Sequence, residues 1–463
     1  MTFMDSHGKF SGTRSLVDSR SEGDINLSPY RREWQATHIG SETRIVLDAD
    51  AKYFLHQSLS TPCLDVLAEA DGIYLVDVDG RRFMDFHGNN LHQVGYRNPR
   101  VMAAVHSALD TLPFSPRRFT NHYAVDLAAR LTALAPGDLD KVLLAPGGAE
   151  AIGMALKLAR VATGRHKTVS MWDSFHGASL DAISIGGEAL FRKNIGPLLP
   201  GSEHAPPCDP RACLYGCAGI CNARCADYVE YILDKEEDVA AVIVETVRCT
   251  DVQIPPLEYY KRVRASCDRH GTLLILDEIP IGIGRTGYMF AFEHYGIVPD
   301  MVVLGKGLGG AVWPMAALIV RGHLDIAGSQ ALGHYTHEKS SVGCAAALAT
   351  LACLEEDGLL ERANAIGARM MVRLEALKAR VPLVCDVRGL GALVGVELAL
   401  PDGQPACDAA ERVMYACLSN GLSFKIGQGN VLNLSPPLIT SDAQLDSALS
   451  ILEHALIRVA ASS

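Results

Sequence analysis

The 463-residue sequence contains no apolar run approaching the roughly 20 residues that a helix needs to cross a bilayer, which excludes a chain that spans a membrane by helices. It also lacks any basic arm or cluster. Its 42 Lys and Arg stand against 53 Asp and Glu, a net charge of −11. That sign repels a phosphate backbone, so nucleic acid is not the expected partner. The first residues, MTFMDSHGKFSGTRSLVDSRSEGD, have no apolar core and do not read as a secretory signal. A cytoplasmic protein that handles small molecules is the expectation. Internal repeats and low-complexity tracts are missing too. The 13 cysteines are an odd count, which suits free thiols in a reducing compartment better than a disulfide framework. Five of them, Cys208, Cys213, Cys217, Cys221 and Cys225, fall close together without a C-x₂-C pair. Zinc or an iron–sulfur cluster is one reading of them. The spacing fits no standard ligand set, so a reduced, cysteine-rich surface insertion is the expectation and no metal ligand is assigned.

What is present is globular: 48% hydrophobic and 21% charged residues, in a chain long enough for more than one domain. Residues 1–25 read as a polar, flexible arm. Residues 31–56 read as helical. The alternation from Gly72 to Phe86, around Asp79-Gly80, is a hairpin signal. His87-Gly-Asn-Asn-Leu-His-Gln93 follows as a dense polar loop, and Arg117-Arg118 lie in a later loop. From Lys141 onward strand and helix patterns alternate, which predicts an α/β fold with a mostly parallel central sheet. Its strands are expected at 142–145, 168–172, 240–244, 273–276, 301–304 and 315–320. Beyond Leu354 the pattern turns α+β. The expected division is an N-terminal segment of a small domain (26–95), a large domain (96–345) and the rest of the small domain (346–463).

Two of these strand runs end in one charged residue each, Asp277 after Leu273–Leu276 and Lys306 after Met301–Leu304. In a parallel sheet, ligands gather at the carboxyl ends of strands. An amine and an acid would meet there, each on a rigid element. A buried lysine is driven toward its neutral form and becomes a Schiff-base nucleophile. An aspartate can hold a proton on a pyridine nitrogen. Together they suit pyridoxal 5'-phosphate. Gly147-Gly148-Ala149, at a strand-to-helix turn, offers backbone N–H groups and a helix dipole to a phosphate, although such turns also serve close packing. Gly305-Lys-Gly307-Leu-Gly-Gly310 matches a dinucleotide fingerprint literally, but the residues after it read as turn and strand rather than the helix that motif requires.

Taken in order, Pro-Gly-Gly-Ala-Glu-Ala, Phe-His-Gly, Val-Glu at 244–245, Leu-Asp-Glu-Ile-Pro-Ile-Gly-Ile-Gly-Arg-Thr-Gly and Gly-Lys-Gly-Leu-Gly-Gly resemble the class III aminotransferase family. The resemblance runs from about Tyr74 to the C-terminus. It implies the fold of fold-type I pyridoxal phosphate enzymes and a homodimer with shared active sites. It implies that Lys306 forms the Schiff base and moves the proton, and that Asp277 pairs with the ring nitrogen. Gly148 and Ala149 would hold the phosphate, Phe175 and Ile279 the two ring faces. Thr336 would reach the phosphate in the other subunit. Arg388 matches a family arginine that grips a substrate acid group, with Arg117 and Arg118 as further candidates.

Three departures stand out. Pro280 replaces a glutamine, Thr246 follows Glu245 in place of proline, and His337-Glu338-Lys339 replaces Gly-Gly-Asn. The whole assembly, including Phe54-Leu-His-Gln, His87-Gly-Asn-Asn-Leu-His-Gln and Thr336-His-Glu-Lys, is similar to a subgroup associated with aminophosphonate breakdown. The leading expectation is therefore elimination of ammonia from a small anionic primary amine. His87, His92, His337 or Lys306 would be the proton donor to the leaving hydroxyl. Transamination to pyruvate or 2-oxoglutarate is the alternative. A non-catalytic binding module is disfavoured because Lys306 and Asp277 are both kept.

Overall fold

A computed structural model describes residues 28–462 apart from 58, 59, 61, 212 and 218–220. The expected arm at 1–25 lies outside the described residues. At the centre is a seven-stranded sheet. Its strands run in the order Leu139–Ala145, Ala316–Arg321, Met301–Leu304, Leu273–Asp277, Val239–Glu245, Lys167–Met171 and Ser202–Ala205. The last five pair in parallel. Ala316–Arg321 alone runs against both of its neighbours. Only residues 305–315 separate it from the strand before it, too few for the crossover helix that a parallel return requires.

Burial explains why these strands read as continuous apolar runs. The pleat sends Leu274, Leu276, Val302 and Leu304 into one apolar cluster, and Ile275, Met301 and Val303 into the other. Both faces of the sheet are covered, as a βαβ arrangement demands. A charged side chain has no place within such a strand, so Asp277 and Lys306 fall at or beyond the strand ends.

The glycine fingerprint resolves as expected. Lys306–Gly309 is a single 3₁₀ turn leading to the antiparallel strand, not the start of a helix. The expected helix over 31–56 is instead two, Pro29–His38 and Ser41–Tyr53. The break falls at Gly40, where a Cβ would lie 2.9 Å from the Asp79 carboxylate of the hairpin turn. Thr43 donates to that same carboxylate at 2.9 Å. The hairpin Tyr74–Asp77 and Arg82–Asp85 gains an unforeseen partner strand, Leu67–Asp71. Its other edge pairs in parallel with Leu422–Ser423, with Met84 opposite Leu422 and Asp85 opposite Ser423. A second antiparallel sheet joins Val384–Leu390, Leu393–Leu398, Val431–Leu434 and Lys425–Gly427. N- and C-terminal segments thus share one layer beside the large sheet.

The cysteine-rich stretch is less superficial than expected. Cys208, Cys217 and Cys225 are buried, and Cys208 and Cys225 belong to the main apolar cluster. Among the described residues no group of three or more His, Cys, Asp or Glu is arranged to hold a metal ion. No helix among them is long and apolar enough to cross a membrane.

Candidate active site

Lys306 and Asp277 stand at the carboxyl edge of adjacent strands. Asp277 is in register with Val303, and the N–H of Glu278 donates to the Val303 carbonyl at 2.9 Å. Lys306 lies three residues further on, with φ of 43°. A non-glycine residue in the left-handed region costs of order 1–3 kcal/mol and persists only where its surroundings enforce it. Here Gly305, Gly307 and Leu308 are buried around it, while Lys306 itself is exposed. This corrects the expectation of a buried lysine. The strand ends at Leu304, the turn packs its neighbours inward, and the lysine stem projects outward from the turn.

Asp277 is 2% exposed and fully engaged. Its Oδ1 accepts the N–H of Ile279 at 3.0 Å, and its Oδ2 lies 2.8 Å from His176 Nδ1. The His176 ring is itself fully buried, and its Nε2 lies 3.4 Å from Ser170 Oγ. His176 was visible in the sequence only as the middle of Phe-His-Gly. No local pattern tied it to an aspartate a hundred residues away. Its neighbour Phe175 is positioned by a buried carboxylate, since Glu245 Oε1 accepts the Phe175 N–H at 2.9 Å. Burial pushes the Glu245 carboxyl up from its ordinary range. The Phe175 ring rests against Phe191 with centroids 4.3 Å apart.

Thr246 shows what proline in its place would remove. Its N–H donates to the Asp277 carbonyl at 3.3 Å, and its hydroxyl to Glu278 Oε1 at 2.9 Å. Glu278 also accepts the N–H groups of Ala291 and Phe292, each at 2.7 Å. Burial still prevails and pushes its carboxyl up to about 7.

The residues fit pyridoxal phosphate. The helix Gly148–Thr163 begins at an N-cap glycine with no side-chain cap, leaving its first N–H groups for an anion. Ile279 spans the space between this helix and the lysine turn. A Cβ on Gly148 would lie 2.7 Å from Ile279 Cδ1, and one on Gly305 would lie 3.1 Å from Ile279 Cγ2. Glycine at both positions keeps the cradle between helix end, aspartate and lysine open. A separate surface cavity bounded by Trp172, Ser174, Glu245, Arg248 and Tyr259 shares Glu245 with this site. Neither Lys306 nor Asp277 lines it, so the reacting atoms are not placed there.

The other expected residues lie apart from this core. Thr336 is exposed on the loop before the helix Ser341–Glu356. Arg117 is tied to that loop, with Nε 3.0 Å from Glu338 Oε1 and a contact to His334. Arg118 is exposed. His337 packs on the edge of Phe114. Arg388 is saturated within the chain. Its Nη1 sits 2.7 Å from both Asp386 and Glu397, and its Nε and Nη2 donate to the carbonyls of Asp251 and Val252.

The 87–93 loop, expected as a polar surface cluster, is largely internal. Asn90, His92 and Gln93 are buried. His92 Nε2 lies 3.0 Å from the Asp85 carbonyl, and burial presses the His92 ring down to about 4. Gln93 closes on the lysine turn, where a Cβ on Gly307 would lie 2.2 Å from its Oε1.

The sequence profile of class-III aminotransferases matches residues 56–456. The chain belongs to the class III aminotransferase family. It is accordingly a pyridoxal phosphate enzyme of fold-type I. It is 49% identical over 95% of both chains to (R)-1-hydroxy-2-aminoethylphosphonate ammonia-lyase of Vibrio splendidus. It is 34% identical to 5-aminovalerate aminotransferase of Pseudomonas putida, over 83% of this chain and 92% of that one. Among solved structures, taurine:2-oxoglutarate aminotransferase from Bifidobacterium kashiwanohense, in complex with PLP and glutamate, superposes with a TM-score of 0.83 at 26% identity. That match covers 90% of this chain and 98% of the other.

Proposed function

We propose that this enzyme is an ammonia-lyase converting (R)-1-hydroxy-2-aminoethylphosphonate to phosphonoacetaldehyde and ammonia, a step in phosphonate catabolism. The observation that carries the reading is the 49% identity, spread over 95% of both chains, to the lyase of that name. When bound, pyridoxal phosphate supplies an electron sink for the pair left when a proton departs from the amine-bearing carbon.

The chain's own residues supply the rest. Gly148 and Ala149 N–H groups would hold the phosphate, and Phe175 and Ile279 would hold the ring faces. Asp277, fixed by His176 and by the Ile279 N–H, would stand against the ring nitrogen as a charge that cannot swing away. Lys306 Nζ takes the proton from the amine-bearing carbon. It then delivers a proton to the hydroxyl leaving the neighbouring carbon, so that water departs. Water re-enters when the resulting enamine gives aldehyde and ammonia. The balance needs no acceptor acid and no external oxidant. Thr336, exposed on its loop, fits a homodimer in which it reaches the phosphate of the partner's site.

Transamination begins with the same proton transfer, and the resemblance to aminotransferases supports it as the second reading. Incubating the holoenzyme with (R)-1-hydroxy-2-aminoethylphosphonate and no 2-oxo acid decides between them. Ammonia and aldehyde released together in equal amounts are expected. Turnover only when pyruvate or 2-oxoglutarate is added would make it an aminotransferase.

A further inference from the structure

We propose that Lys425 and His87 hold the phosphonate end of the substrate. The inference rests on the lyase reading for the identity of that acid group. It concerns residues that no sequence motif singled out as a pair.

Backbone register brings the two together across 338 positions of sequence. Leu422–Ser423 pairs in parallel with the end of Arg82–Asp85, Ser423 opposite Asp85. The pairing runs on by one more bond, from the Phe86 N–H to the Ser423 carbonyl at 2.8 Å. The ladder ends there, since the Phe86 carbonyl takes the Ser435 N–H and Lys425 goes on opposite Asn433 in the second sheet; His87 and Lys425 each stand two residues past the paired Asp85 and Ser423. Phe86 and Phe424 are both buried in the main apolar cluster, while His87 and Lys425 are both half-buried.

The chain that follows His87 borders the lysine turn. The turn Gly88–Asn90 follows His87 directly, and Gln93 closes against Gly307. The positive charges of Lys425 and Lys306 are both felt at His87. Together with burial, the largest cause, they press its ring down to about 3. The neutral ring has a defined tautomer, since His87 Nδ1 accepts the Asn89 N–H at 3.2 Å, which leaves Nε2 to carry the hydrogen and donate. Asp85, a carboxylate beside them, is committed. Asp85 Oδ1 accepts the N–H groups of His87 and Gly88, each at 3.0 Å, and its Oδ2 accepts the Tyr96 hydroxyl at 2.7 Å. The Lys425 ammonium makes no ion pair or hydrogen bond with any of the described residues. The result is one unpaired ammonium group and one N–H donor near the lysine turn, with the neighbouring Asp85 carboxylate already bonded.

The substrate matches this arrangement. Its phosphorus is two bonds from the amine-bearing carbon, so the cation that holds the phosphonate must stand close to Lys306. Arg388 does not meet that need, since its donors are spent on Asp386, Glu397 and two carbonyls. Arg117 is tied to the Glu338 loop.

The test uses holoenzyme and methylphosphonate, which carries the acid group and lacks the amine. Calorimetry should give a Kd for wild type in the millimolar range or tighter. Lys425→Met should weaken it roughly tenfold to a hundredfold, the range for one lost charge-assisted contact, and Lys425→Arg should recover part of the loss. In turnover, Lys425→Met should raise KM by a similar factor with little change in kcat. His87→Gln, which keeps a side-chain N–H donor, should be milder than His87→Phe. Thermal melts establish that each variant is folded. A folded Lys425→Met with wild-type methylphosphonate affinity and KM overturns the proposal, and so does a wild type that does not bind methylphosphonate. Anion binding lost in Lys425→Met, in an enzyme that needs a 2-oxo acid for turnover, would overturn the lyase reading and leave the anion site standing.

Discussion

Replacing His176 by phenylalanine isolates one hydrogen bond whose loss should be felt in turnover. The ring is fully buried and its Nδ1 stands 2.8 Å from Asp277 Oδ2, on a carboxylate that is 2% exposed. Phenylalanine is close in volume, so the packing change is small, below about 1.5 kcal/mol for a volume-conserving swap. Loss of the hydrogen bond outweighs it. A bond to a charged group contributes about 1.5–3 kcal/mol, and more is at stake when the acceptor is left buried without its donor. If Asp277 acts as the fixed charge against the ring nitrogen, that energy is lost where the substrate carbon gives up its proton. The expected fall in kcat is roughly tenfold to 150-fold, at tenfold per ~1.4 kcal/mol. The assay is single-turnover deprotonation of substrate by cofactor-loaded enzyme, followed by stopped-flow absorbance. His176→Asn or His176→Gln, each able to donate one N–H, should restore part of the rate. A folded, cofactor-loaded His176→Phe enzyme with wild-type kcat would refute the coupling from His176 through Asp277 to the proton transfer.

Lys306→Ala should abolish turnover while the protein stays folded, and borohydride reduction of the wild-type holoenzyme followed by peptide mapping should place the pyridoxyl group on Lys306 and no other lysine. Glu278 gives a pH signature. Its carboxyl, at about 7 in the folded protein against an ordinary 4.5, favours the folded state only while protonated. Stability should therefore fall as pH rises from about 4.5 to about 7, by up to about 3 kcal/mol, and level off above. Chemical denaturation across that range should show the decline in wild type and a flatter profile in Glu278→Gln; parallel profiles would remove Glu278 as the cause. Arg388→Ala should lower stability by about 1–2 kcal/mol, because it takes hydrogen bonds from Asp386 and from the carbonyls of Asp251 and Val252, while Glu397 keeps Arg211. Urea melts would show this, whereas a ten- to hundredfold loss of kcat/KM at unchanged stability would return Arg388 to the substrate site.

The parts that local chemistry decides were legible in the chain. A run such as Leu273–Leu276 or Met301–Leu304 is apolar on both faces because it is covered on both faces, so its strand and its place in the sheet follow from composition. Once those strands were placed, Asp277 and Lys306 had to stand at their ends. Glycines at 147 and 148, before a helical pattern, marked the start of the helix Gly148–Thr163 for a similar reason. What the sequence could not decide was which side chains meet across long separations, and how exposed each one is. Lys306 was expected to be buried because the strand before it is, yet a left-handed turn residue projects it outward. Arg388 was expected to grip a substrate acid group, because it matches a family arginine. It is consumed by Asp251, Val252, Asp386 and Glu397, two of which lie more than 130 positions away. His176 on Asp277 and Ser423 opposite Asp85 belong to the same class. Each pair is set by the register and packing of whole elements, a property of the folded sheet that no single segment of the chain carries.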